Sequence, residues 1–170
     1  MIIFDLINLQ KIRRAILYLA VIAVSLVLQN TMLNHVAPLG VRCMFIPAVT
    51  AVIGMLEGGV WGCMLGVAAG ALCDISFSGS TVLFTLMLPV VGFFSGVAGE
   101  YLVNRRFLAC CLTALAALAV AAFVQALAAF FSVDARFGAV MRTAALQTAW
   151  SVPFIFPAWL SCRAIYGMGR

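Results

Sequence analysis

Only five acidic residues and one histidine occur in 170 residues, so few groups can do acid–base or nucleophilic chemistry. Asp74 heads the segment Asp74-Ile75-Ser76-Phe77-Ser78-Gly79-Ser80. There its carboxylate can cap the loop through Asx-type hydrogen bonds or pair with a basic residue of a partner. Glu57, followed by Gly58 and Gly59, reads as a solvated turn residue, with a binding role as the other reading. Glu100 lies within reach of Arg105 and Arg106 for a local ion pair. His35 is most simply a surface residue. Ser25, Ser95 and Ser151 have no histidine or lysine in the same apolar runs to activate them, so serine hydrolysis lacks its base. The six cysteines (Cys43, Cys63, Cys73, Cys110, Cys111 and Cys162) form no CxxC pair, which argues against zinc or iron–sulfur chemistry and for small apolar packing residues. Gln125 and Gln147 are neutral, unable to relay protons, and suited to hydrogen bonding between helices. No enzyme, metal or cofactor is expected from this set.

A different pattern stands out. Gly54, Gly58, Gly62, Gly66 and Gly70 recur every fourth residue, and Asp74 occupies the next step. Residues four apart lie on neighbouring turns of a helix, and glycine there lets another backbone approach closely. Gly92-x-x-x-Gly96 with Gly99 repeats the spacing, as do Ala117/Ala121 and Ala122/Ala126. The candidate site is therefore a contact surface made of Gly58, Gly62, Gly66, Gly70, Asp74, Gly92 and Gly96. It could pack this chain's own helices or a partner's. Each step of four residues advances ~40° around a straight helix, so Gly58 to Gly70 must serve several crossings or one strongly inclined neighbour. Gly54 drops out, because the turn at Glu57-Gly58-Gly59 puts it on the preceding helix. The glycine-rich segment is expected to be the thin, central helix of a bundle.

The elements that position these residues are membrane spans. Hydrophobic residues make up 66% of the chain, charged residues 9%, and mean hydropathy is +1.20, far from soluble composition. Four runs are long enough to cross ~30 Å of hydrocarbon: about 15–33, 81–103, 107–131 and 143–162. The last should kink at Pro153 and Pro157, with Trp159 at an interface. Between Arg42 and Asp74 two shorter helices are expected, about 43–56 and 58–73, neither long enough to span by itself. The first run follows Lys11, Arg13 and Arg14 and has no small-x-small cleavage signal, so it reads as a retained span.

Basic residues favour cytoplasmic loops. Both the N-terminal cluster and Arg163 with Arg170 read as cytoplasmic, which requires an even number of crossings. Six crossings place seven basic residues inside and three (Arg42, Arg136 and Arg142) outside. The expectation is a single all-α membrane domain of six transmembrane helices with both termini cytoplasmic. The basic residues are scattered at the ends of apolar runs, so no nucleic-acid surface is expected.

The region from about Gln29 to Gly99 resembles the bacterial rod shape-determining protein MreD family. The likeness rests on Gln29 near the end of the first span, Pro47 opening the second, and the glycine-spaced segment Gly58 to Asp74 followed by Gly79. The chain departs in having Ala48 after Pro47, where many members carry a polar residue, often aspartate. The resemblance implies a non-enzymatic scaffold of the cell-elongation machinery in the cytoplasmic membrane. Its implied partner is an MreC-like membrane protein, with indirect links to MreB and the RodA–penicillin-binding-protein synthase. It also implies a bundle similar to the substrate-binding components of energy-coupling-factor vitamin transporters.

That similarity supplies the rival function, vitamin capture. A vitamin site needs converging polar and aromatic groups, and the outer loops offer little beyond Asn34, His35, Arg42, Asp74, Asp134, Arg136 and Arg142. A small channel or holin is weaker still, since no span carries a continuous polar stripe.

Overall fold

The computed structural model describes residues 2–35, 44–76, 82–101, 107–133 and 137–167. Among these the regular structure is entirely helical: α1 (Ile2–His35), α2 (Ile46–Glu57), α3 (Gly59–Ser76), α4 (Leu83–Tyr101), α5 (Phe107–Val133), α6 (Phe137–Ser151) and α7 (Ile155–Gly167), with a 3₁₀ turn at Val152–Phe154 between the last two. Four helices contain a stretch long and apolar enough to cross a membrane: Lys11–Thr31, Gly59–Ser76, Leu83–Glu100 and Phe107–Ala128. Large apolar side chains point outward from many helices, including Val24, Val60, Phe94 and Leu112, each more than half exposed. Such a surface belongs in lipid. The chain is an all-α, multi-pass membrane protein.

Local chemistry sets the breaks. Pro47 sits in the first turn of α2, where its missing N–H has no intrahelical partner to lose. The helix stops at Gly58, whose φ of 100° suits glycine and whose N–H donates to the Gly54 carbonyl at 2.8 Å. One residue later α3 begins. It runs to Ser76, three residues beyond the expected end, and reaches spanning length. Near the C-terminus the expected kink takes the form of a 3₁₀ turn between two helices, with Pro153 inside it. Pro157 falls in the first turn of α7, where its missing N–H is among those without an intrahelical partner.

The core is built around α2. Every residue from Ile46 to Leu56 is buried, because α1, α3, α4, α5 and α7 all pack against this helix. This corrects the expectation that the glycine-rich helix is central. One face of α3 is buried (Gly62, Leu65, Gly66, Ala69, Gly70 and Cys73), while Val60, Met64, Val67 and Ile75 are exposed. The error has a physical origin: glycine allows close approach on one side of a helix, whereas enclosure requires neighbours on all sides.

Candidate helix-packing site

The glycine steps of α3 all face α4, and Gly62 also meets α2, where a Cβ would lie 2.6 Å from Gly54 Cα. A Cβ at Gly62 would run into the Gly92 carbonyl, one at Gly66 would lie 2.7 Å from the Leu88 carbonyl oxygen and 2.8 Å from Pro89 Cα, and one at Gly70 would lie 2.5 Å from the Phe84 carbonyl oxygen. Moving four residues up α3 moves about four residues down α4, so the two helices are antiparallel and in register over three steps. A period of four exceeds the 3.6 residues of a turn. Two axes that stay together over such a pattern must incline in the right-handed sense, as small-x-x-x-small pairs do. The α4 backbone meets all three steps, and α2 joins it at Gly62.

From α4, Gly92 and Gly96 reciprocate. The Gly62 carbonyl fills the space a Cβ on Gly92 would take, and the Gly59 backbone does the same at Gly96. Gly54 does not drop out. Although it lies on α2 as expected, a Cβ there would strike the Gly92 carbonyl and come within 2.5 Å of Ser95 Oγ. Gly92 is thus where the backbones of α2, α3 and α4 converge. Gly58 faces a side chain instead: its missing Cβ would meet Oε1 of Glu100, from the far end of α4.

Asp74 stands at the opposite end of the pair. Its Oδ1 accepts the Phe84 N–H at 3.2 Å, and its Oδ2 accepts the Thr85 N–H at 2.9 Å and the Thr85 hydroxyl at 2.6 Å. These amides lie in the first turn of α4, which has Val82 rather than a polar residue before Leu83. A carboxylate there satisfies unpaired donors and complements the positive end of the helix dipole. Asp74 therefore caps the following helix. The capped-loop expectation had the right chemistry but the wrong recipient, and residues 77–81 of that loop lie outside the described residues.

Glu57 corrects a second expectation. Instead of a solvated turn residue, it is a carboxylate only 14% exposed, paired with Arg14 Nη1 at 3.5 Å and accepting the Tyr18 hydroxyl at 3.0 Å. Tyr18 is fully buried, and the Arg14 guanidinium also lies 5.7 Å from the Tyr166 ring centre. One cluster thus joins α1, the end of α2 and α7. Glu100 is exposed, while Arg105 and Arg106 fall outside the described residues, as does the side chain of His35.

A second polar cluster secures the start of α2. Gln29 Oε1 accepts the Phe45 N–H at 3.2 Å, and Ser151 Oγ accepts the Met44 N–H at 3.2 Å while donating to the Gln147 carbonyl. Gln147 Nε2 donates to Gln125 Oε1 at 3.1 Å, and Gln125 Nε2 donates to Met44 Sδ at 2.9 Å. The two glutamines do bond between helices, as their neutrality predicts. Ser151 now has a role: it satisfies a backbone donor buried away from water. Among the described residues no group of three His, Cys, Asp or Glu side chains is placed to hold a metal, and Cys63, Cys73, Cys110, Cys111 and Cys162 are free thiols.

Arg14, Tyr18 and Thr85 carry interactions that the motifs of the sequence do not mark. A tyrosine one turn after an arginine within an apolar run is a faint signal for the first two. Comparison of the chain with protein-family models, curated proteins and solved structures gives no match.

Proposed function

We propose that this protein is a non-enzymatic scaffold of the bacterial cell-elongation machinery, binding an MreC-like partner in the cytoplasmic membrane and helping to organise peptidoglycan synthesis. The observation that carries this reading is the use made of the residues behind the family resemblance. Gln29 and Pro47 shape the start of α2, Gly62 to Gly70 bring α3 onto α4, and Asp74 caps α4. All of them build a rigid α2–α3–α4 block, and none is placed as a reactive group. A scaffold needs such a block to present fixed surfaces, and the outward apolar faces of α3 and α4 provide surface for helix contact within lipid.

In this reading the chain crosses six times with both termini cytoplasmic. The α2–α3 pair and the broken α6–α7 unit join α1, α4 and α5 as crossings. At 12 residues α2 is ~18 Å long and relies on its longer neighbours to be shielded within ~30 Å of hydrocarbon. The vitamin-capture reading is less well supported. A cavity of about 630 Å³ against α1 and α7, and another of about 330 Å³ against α4 and α5, are lined almost wholly by apolar side chains, without the converging polar groups that fix a vitamin.

Depletion in a rod-shaped host, together with co-purification from its membranes, tests the proposal. Rods should become spheres, and an MreC-like protein should be retained by the intact chain. Unchanged rods with no such partner retained would defeat the reading. Thiol labelling at Ser78 and beside Arg105, with the native cysteines replaced, should report opposite sides of the membrane.

A further inference from the structure

The cavity of about 630 Å³ is a groove between α1 and α7, and it is independent of the scaffold reading. Its α1 wall runs from Leu17 to Leu28, and its α7 wall includes Pro157, Ser161 and Ile165, with Phe45 and Trp150 at the far end. Eleven residues of helix rise about 17 Å, roughly one leaflet of a bilayer whose hydrocarbon is ~30 Å thick. A groove of one leaflet's length with an apolar lining suits a flexible hydrocarbon chain.

Charge distinguishes the two ends. Arg13 lies one turn before Leu17, on the α1 face that lines the groove, and it is exposed, as is Lys11. Arg14 is held by Glu57, so its charge is already matched. Arg13 stands where a phosphate would sit if an acyl chain occupied the groove, and Lys11, about half a turn before it, adds to the local positive charge. Basic side chains between membrane helices are suited to anionic head groups.

We propose that this groove holds one acyl chain of an anionic phospholipid, with its phosphate at Arg13 and Lys11. The test is native mass spectrometry of the full chain released from nanodiscs of equal phosphatidylglycerol and phosphatidylcholine. Phosphatidylglycerol should be retained preferentially. Arg13→Gln should lower that preference about fivefold, because the net negative charge of phosphatidylglycerol is what the lost cation favours. Ala20→Trp, on the exposed groove wall, should abolish retention, and Leu86→Trp, on the outer face of α4, should not. Equal retention of both lipids overturns the proposal. So does retention unaffected by Ala20→Trp, or a polypeptide displaced by it in place of lipid. If Ala20→Trp fails to insert, the Arg13→Gln preference decides.

Discussion

The carbonyl oxygens of Gly62 and Gly92 each occupy the position that a Cβ on the other residue would need. Neither residue can change without moving a backbone, and a backbone within a helix has little freedom to move. The α3–α4 contact is therefore set by main chain rather than by side chains that could repack.

Replacing Gly92 or Gly66 with leucine should destabilise the protein by about 3 kcal/mol or more, at or beyond the usual range for overpacking. Gly138→Leu serves as the control, because nothing lies within 4 Å of a Cβ built there. Denaturation in mixed micelles, followed by helical circular dichroism, measures the difference. Equal midpoints for Gly92→Leu and Gly138→Leu would contradict the close approach.

Asp74→Ala should cost about 1–2 kcal/mol, the ordinary worth of a helix cap. Asp74→Asn should cost less, since one side-chain oxygen still accepts. Thr85→Val should remove only the hydroxyl contact and be the mildest of the three. Hydrogen exchange at the Phe84 and Thr85 amides would register the lost cap directly, rising most in Asp74→Ala.

Arg14→Leu should destabilise by roughly 1–3 kcal/mol, because it strands a largely buried carboxylate at Glu57. Combining it with Glu57→Leu removes the stranded charge, so the double variant should be less damaged than the two single effects added together. Strict additivity would show that the pair is not coupled.

Gln147→Leu should cost on the order of 1 kcal/mol through the lost bond to Gln125. Gln125→Leu should cost more, since it also loses the contact with Met44 Sδ. The same micelle titration ranks the two.

What could be read from sequence follows the range of the interaction. Four-residue spacing is local, so the close-contact face of α3 was legible, and so were the turn at Gly58 and a helix distortion at Pro153. Glu57 and Tyr18 are 39 residues apart, and their bond depends on how α1 lies against the end of α2. Nothing in either local segment encodes that. Asp74 lay between these cases: its capping chemistry was legible, but its partners stand ten and eleven residues on, across a loop. Near-uniform apolarity hid the centrality of α2, because a run whose only polar residue before Glu57 is Thr50 has no outward side marked.

The complete burial of α2 also bears on how the chain is made. The ribosome delivers α2 before α4, α5 and α7 exist to surround it, and a helix ~18 Å long cannot settle by itself across ~30 Å of hydrocarbon. It must wait, held beside α1 and α3, until the later helices arrive. The C-terminal half of the chain thus acts as the chaperone of the N-terminal half, and a ribosome stalled after α3 would leave the core helix without its enclosure.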